Sequence, residues 1–216
     1  MDVEQVLFWL RRLIDFDTRV FDEVRSNPNA TIPGVIVVAV STFISGIGGW
    51  LWWVLRDFGE SSQIFVHSAV IGSVLALVLW GLVWLGIVYV MLTQIFGARA
   101  YGEQLLRVMG LASAPLALMG FMFLPGISMA VGMVSLALTF TLTNAAIQSA
   151  TNASPSRVLL ANLTGFFVWS AALTLFASVS ISSLEPHAPG VFLFNATTSL
   201  TKDILDVGRQ IQDFIQ

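Results

Sequence analysis

The chain has 216 residues, of which 56% are hydrophobic and only 11% are charged, whereas soluble domains carry about 25% charged residues. This composition indicates an integral membrane protein, and the formal charge of −3 leaves no basic excess for a nucleic-acid partner. With no cysteine and two histidines, the sequence offers no thiolate and few imidazoles, and we expect neither a metal site nor a cofactor.

The N-terminal segment, residues 1–27, is predicted to form an amphipathic helix. Its apolar residues recur at alternating steps of three and four, with Asp17 interrupting the series, and Asn27-Pro28-Asn29 ends the pattern. The stripe consists of Val3, Leu7, Leu10, Ile14, Phe21 and Val24. With Trp9 and four arginines nearby, we expect this helix either in the membrane interface or against a protein partner.

Five segments contain no Asp, Glu, Lys or Arg, which predicts five membrane crossings within residues 28–180. A hydrocarbon core about 30 Å thick requires about 20 apolar residues per helix. The segments are 34–55, 64–96, 108–124, 127–147 and 158–180. The fold class is therefore an all-α integral membrane protein, a five-helix transmembrane bundle with amphipathic N- and C-terminal helices.

Two of these segments have distinctive features. At about 1.5 Å per residue, 64–96 is too long for one crossing and too short for two, so this helix either projects from the bilayer or tilts. The third and fourth segments are joined by Pro125-Gly126, a pair that breaks helices. We therefore expect an antiparallel helical hairpin there.

The arginines predict the orientation, because cytoplasmic loops carry an excess of Lys and Arg. Seven arginines fall on one side of the predicted topology: Arg11, Arg12, Arg19, Arg25, Arg99, Arg107 and Arg157. The N-terminus is accordingly expected in the cytoplasm and the C-terminus outside.

The tail, residues 181–216, is predicted to be extracytoplasmic and to end in an amphipathic helix at 199–216. Five apolar residues follow a four-three-four-three spacing: Leu200, Ile204, Val207, Ile211 and Phe214. The polar side has three aspartates against one Lys and one Arg, which suits anionic lipid poorly. This helix is a candidate for docking against protein, either the projecting part of the second span or another subunit.

The spans provide little for catalysis or coupled transport. His67 is the one residue in them that could carry a charge near neutral pH, and no span contains a carboxylate or a charge pair. Ser128 follows Gly126 but lacks a second glycine after it, as a serine nucleophile would require, and no phosphate-binding glycine loop is present. We therefore expect no catalytic residues and a protein that is not an enzyme.

Small residues recur every four positions in the first two spans and predict close helix packing. The two sets are Ser41, Ser45 and Gly49, and Ser68, Gly72 and Ala76. They either pack inside the bundle or contact a second protein. Amides and hydroxyls near the cytoplasmic ends of spans two, four and five are expected to form either an interhelical hydrogen-bond layer or the lining of a lipid-headgroup cleft. They are Gln94, Thr139, Thr141, Thr143, Asn144, Gln148 and Asn162.

The segment from Phe16 to Ser180 resembles the Yip domain family, five-span membrane proteins named in eukaryotes for interacting with Ypt/Rab GTPases. The resemblance rests on the junction Gly97-Ala98-Arg99-Ala100-Tyr101-Gly102-Glu103 and on the stretch from Leu106 to Pro115, which includes Gly110. The chain lacks the long acidic N-terminal region of the eukaryotic members, so the resemblance implies the prokaryotic branch. Pro115 should kink the third span and open a groove beside the fourth.

Together these features predict a scaffold or accessory subunit of a membrane-protein assembly, in contact with membrane lipids and with either a membrane-protein partner or a second copy. The alternative is a lipid or small-molecule transport component that uses the groove near Pro115. The expected location is the cytoplasmic membrane of a prokaryote, or alternatively a eukaryotic endomembrane.

Overall fold

The computed structural model describes residues 3–55, 65–124 and 126–180. This part of the chain is helical, and five of its helices are long and apolar enough to cross a membrane. The predicted fold class is confirmed. The predicted C-terminal helix, 199–216, lies outside the described residues.

The N-terminal segment forms two short helices, α1 (Val3–Ile14) and α2 (Val20–Ser26), so the prediction of one helix over residues 1–27 was wrong. Asp17 explains the break. One of its carboxylate oxygens accepts a hydrogen bond from the backbone N–H of Arg19, and the other accepts two from the guanidinium of Arg12. A short polar side chain that bonds to nearby backbone favours a turn over a continuing helix. We call the two helices together the hairpin.

The first span is α3 (Thr31–Val54), which follows a short turn at Pro28–Ala30. The second span, α4, runs from 66 to 95 and contains three wide stretches with i→i+5 hydrogen bonding. They are Val66–Gly72, Trp80–Leu85 and Met91–Ile95. Because a wider turn advances less per residue, α4 is shorter than an ideal α-helix with the same number of residues.

The third span, α5, begins at Gly102, before the charge-free segment 108–124 that was predicted for it. It is α-helical to Ala112 and continues as a tighter i→i+3 helix over Ala114–Phe123. Pro115 explains the change, because it lacks the N–H that an i→i−4 bond to Leu111 would need. Because of the early start, Arg107 lies inside the helix, whereas the sequence predicted it in the loop before the third span.

The last two spans are α6 (Ser128–Ala150) and α7 (Pro155–Ser180). Gly126, in the turn between α5 and α6, has a φ of 82°, a left-handed conformation that suits glycine. The spans form a ring in which α3 packs on α4, α4 on α7, α7 on α6, α6 on α5, and α5 on α3. In the most apolar part of each span, 61% of α5 is buried but only 28% of α4, so α4 is held by one side only.

Candidate functional site at the arginine end of the bundle

Arg107 is the centre of a polar site at one end of the bundle. Its side chain is buried, and each of its nitrogens donates to a different element. Nε donates to Thr31 Oγ1 over 2.7 Å, Nη1 to the carbonyl oxygen of Arg25 over 3.2 Å, and Nη2 to Glu103 Oε2 over 3.0 Å. A buried guanidinium is tolerated when its donors are satisfied. Arg107 therefore joins the end of α2 and the start of α3 to α5.

Arg25 extends this connection to the fourth span. Its guanidinium donates to the carbonyl oxygen of Ser149 near the end of α6. The apolar side chains of Val20, Phe21 and Val24 on α2 are fully buried. Apolar burial and arginine hydrogen bonds therefore hold α2 across the ends of α5 and α6.

The hairpin is closed by its own polar contacts. Trp9 Nε1 donates to Glu23 Oε1 over 2.8 Å, and Arg12 donates to Glu23 Oε2 over 2.9 Å. Arg12 also forms an ion pair of 2.7 Å with Asp17. The hydrogen bond from Arg12 lowers the pKa of the Asp17 carboxyl below the ordinary value, so this carboxylate stays ionised under mildly acidic conditions.

The two remaining loops of this end are joined to each other. The backbone N–H of Arg99 donates to Asn152 Oδ1 over 2.8 Å, and Thr151 Oγ1 donates to the carbonyl oxygen of Arg99 over 3.2 Å. Arg157 donates to the carbonyl oxygen of Phe96 and lies 5.9 Å from the centre of its ring. The seven arginines of the predicted cytoplasmic side are thus gathered at one end of the bundle.

Inside the bundle, Asn162 connects three spans. It accepts a hydrogen bond of 3.0 Å from Trp84 Nε1 of α4, and it donates to Thr143 Oγ1 and to the carbonyl oxygen of Phe140 on α6. Its side chain is fully buried. The predicted interhelical hydrogen-bond layer is therefore present at this point, although Gln94 and Thr141, also expected in it, are exposed.

The three positions named from the family motif have different environments. Tyr101 is exposed and precedes α5, whereas Gly110 is buried against Gly34 of α3. The carbonyl oxygen of Pro115 accepts a hydrogen bond of 2.7 Å from Ser135 on α6. The third and fourth spans are therefore in direct contact at the proline where a groove was expected.

The two sets of small residues lie inside the bundle, where α3 packs on α4 and α5. Ser68 Oγ donates to the carbonyl oxygen of Gly46 over 2.9 Å, and Ser41 Oγ lies 3.4 Å from the carbonyl oxygen of Ala114. All six members are buried, namely Ser41, Ser45, Gly49, Ser68, Gly72 and Ala76. The structure thus places them in internal helix packing.

Other candidates from the sequence lie outside the described residues. The predicted docking residues Leu200, Ile204, Val207, Ile211 and Phe214 lie beyond residue 180, and the side chain of His67 is also outside the described set. Within the described residues, no group of three or more His, Cys, Asp or Glu side chains could hold a metal ion.

A family model described as the Yip1 domain matches residues 12–185. The matched region begins near the end of α1 and includes all five spans. Neither a curated protein nor a solved structure matches the chain.

Proposed function

Because the chain belongs to the Yip1 domain family, whose members are membrane proteins, we propose that it acts as a non-enzymatic scaffold or accessory subunit of a membrane-protein assembly. We place it in the cytoplasmic membrane of a prokaryote. Its N-terminus faces the cytoplasm in this proposal, an orientation supported by the clustering of seven arginines at one end of the bundle.

The proposal rests mainly on how the helices pack inside the bundle. Where α3 crosses α5, Gly34 packs against Gly110 and Gly48 against Gly120, each at a distance that leaves no room for a side chain. The central polar side chain, Asn162, has protein partners for both its oxygen and its nitrogen. An interior filled in this way holds helices together, so a functional role falls to the surfaces that the bundle presents.

The surface that best suits a partner helix is the outer face of α4. This span is the least buried of the five, and its outward valines repeat every four residues along one line. They are Val66, Val70, Val74 and Val78. β-branched side chains lose little rotamer freedom when they pack, because they are already restricted in a helix. In this proposal the line of valines contacts a transmembrane helix of the partner.

Purification from native membranes in a mild detergent tests this proposal. We expect the chain to elute above the mass of its monomer, together with either a second copy or a defined partner. A variant with Val70 and Val74 changed to Phe should elute as a monomer, and a matched variant with Met133 and Val134 of α6 changed to Phe should keep the partner. A wild-type chain that elutes as a lone monomer in several mild detergents would contradict the proposal.

The transport alternative has less support. A route beside Pro115 requires an opening between α5 and α6, and the hydrogen bond from Ser135 to the Pro115 carbonyl oxygen joins the two helices at this level. Leu116 and Met119, on the following turns of α5, are fully buried. We therefore base the proposal on the bundle's surfaces.

A further inference from the structure

We propose that the hairpin is a membrane-surface anchor, in which the outward face of α1 and the side chain of Phe16 insert into the lipid leaflet beside the arginine end of the bundle. The observations that lead to this are the exposed apolar edge of α1, the backbone conformation of Phe16, and the way the hairpin is attached to the spans.

The apolar surface of α1 is wider than its contact with the protein. Trp9 and Leu13 face inward and are buried. Leu7 and Ile14 lie on the outer side and are 60% and 77% exposed, and Val3 lies on the same line. A helix that only covered the bundle would carry polar residues on this outer side. The apolar surface of α1 therefore continues beyond the part that the protein covers, and the charged residues Glu4, Arg11 and Asp15 occupy the rest of the exposed side.

Phe16 occupies a position that usually belongs to glycine. The N–H of Phe16 bonds to the carbonyl oxygen of Leu13, and the N–H of Asp17 bonds to that of Arg12, so α1 ends in a Schellman motif. Phe16 is the C′ residue of this motif and has a φ of 56°. A left-handed conformation is unfavourable for a residue with a Cβ, and it is rare for a bulky one.

Within the described residues, packing of the side chain does little to compensate for this conformation, because the Phe16 side chain is 66% exposed. Glycine would form the same turn without strain. Strained residues persist where function requires them. A phenyl group presented where α1 ends, two residues after the exposed Ile14, supplies apolar area for insertion into lipid, and glycine would supply none.

The attachment of the hairpin indicates lipid as the occupant of this face. Arg107 and Arg25 fix α2 to the ends of α5 and α6, which places the hairpin at the level where the spans leave the membrane. At this same end, Ile32 in the first turn of α3 and Ile95 at the end of α4 also expose apolar side chains. The exposed face of α1 is thus at the level of the lipid-facing surface of the bundle, where the interface favours amphipathic helices.

The charges of the hairpin indicate which lipids it needs. Its described residues include four arginines and five acidic residues, and Arg12 is paired with both Asp17 and Glu23. There is no basic excess to attract anionic headgroups. Insertion is therefore expected to depend on apolar burial and to occur in zwitterionic bilayers as well.

The absence of cysteine in the natural chain allows a direct test with the full-length protein. Leu7→Cys, carrying an environment-sensitive fluorophore, is reconstituted in phosphatidylcholine vesicles whose acyl chains are brominated. We expect strong quenching by the bromine atoms. The same label on Asp22→Cys, on the exposed face of α2, should remain in water and be quenched little. A Leu7 label that is quenched no more than the Asp22 label would overturn the proposal.

A second variant separates the lipid contact from the fold of the hairpin. Phe16→Gly suits the Schellman turn, so the hairpin should stay folded, with tryptic cleavage at Arg12 and Arg19 no faster than in the parent. Loss of the phenyl group should lower the equilibrium constant for insertion about tenfold or more, and bromine quenching at Leu7 should fall. Unchanged quenching in Phe16→Gly would contradict the assignment. A label at Leu7 that is shielded from water by another protein, and not by lipid, would also contradict it.

Discussion

Gly34 of α3 and Gly110 of α5 meet where the first and third spans cross, and a Cβ atom on Gly110 would lie 2.6 Å from the carbonyl oxygen of Gly34. The same pair of helices has a second such crossing near the other end, where a Cβ on Gly48 would lie 2.4 Å from the carbonyl oxygen of Met119. These two contacts set the spacing of α3 and α5. Because α5 is the most buried span, they also set the geometry of the bundle.

Gly110→Ala is predicted to destabilise the bundle, since its methyl group would meet backbone atoms that cannot rotate away. We expect a loss at the upper end of the about 1–3 kcal/mol typical of overpacking, seen as a lower thermal midpoint in detergent. Gly86→Ala on α4 is the matched control, because a Cβ there meets nothing within 4 Å. Alanine has the higher helix propensity, so this control should be neutral or mildly stabilising. Equal midpoints for the two variants would show that the crossing is looser than described.

Arg107→Gln is predicted to release the hairpin from the bundle. The substitution removes hydrogen bonds to Thr31 and to the Arg25 carbonyl oxygen, each worth about 1.5–3 kcal/mol when a charged group takes part. It also removes the ion pair with Glu103, which contributes little because the Glu103 side chain is 81% exposed. Limited trypsin digestion of reconstituted protein should then cleave at Arg12 and Arg19 several-fold faster. Arg99→Gln is the control, because the structure ties Arg99 through its backbone and leaves its side chain exposed. A digestion rate unchanged by Arg107→Gln would refute the role of this residue.

Asn162→Leu is predicted to destabilise the contact between α4, α6 and α7. It leaves the buried N–H of Trp84 without its acceptor, which costs about 1–3 kcal/mol. Unfolding in detergent with increasing amounts of a denaturing surfactant should report the loss. Thr164→Val, on the exposed side of the same helix, removes only a bond to the helix's own backbone and should change little. If both substitutions proved equally mild, the Asn162 network would contribute no stability.

Strong acid is predicted to open the hairpin. Changes in pH around neutrality are predicted to leave it closed. The pKa of Asp17 is lowered by its hydrogen bond from Arg12, so the stabilisation is complete above the ordinary value of 3.8 and is lost as the pH falls through the lowered pKa. Amide hydrogen exchange of α1, corrected for its intrinsic pH dependence, should be constant from about pH 8 to 5 and rise in stronger acid. Asp17→Asn should exchange fast already at neutral pH. Opening of the wild-type hairpin between pH 8 and 6 would contradict this assignment.

Much of the fold follows from where charges are absent. A charge buried in lipid is costly, so five charge-free segments predict five spans, and the turn at Pro125-Gly126 is marked by its residue types. The sequence could not show that the N-terminal stripe breaks at Asp17, because the break depends on the contact with Arg12. It also placed Arg107 in a loop, since a charge near the start of a span is expected outside the membrane unless its partners are known.

The candidate site was less accessible to sequence reasoning. The spacing of Ser68, Gly72 and Ala76 predicted close helix packing but could not indicate which helices are the neighbours, namely α3 at Ser68 and α7 at Ala76. The contact between Trp84 and Asn162 joins residues 78 positions apart, which no local pattern can pair. The left-handed conformation of Phe16 could not be predicted either, because this position of the turn usually holds glycine and not a bulky aromatic residue.

The most direct test of the scaffold proposal is cross-linking in intact membranes through a photoreactive side chain at Val74 on the outer face of α4. Val74 is 55% exposed, and Val134 on α6 is a matched control at 53%. We expect the Val74 probe to yield one defined adduct, to a partner or to a second copy, identified by mass spectrometry, while the Val134 probe yields lipid adducts. Lipid adducts alone at both positions would contradict the account.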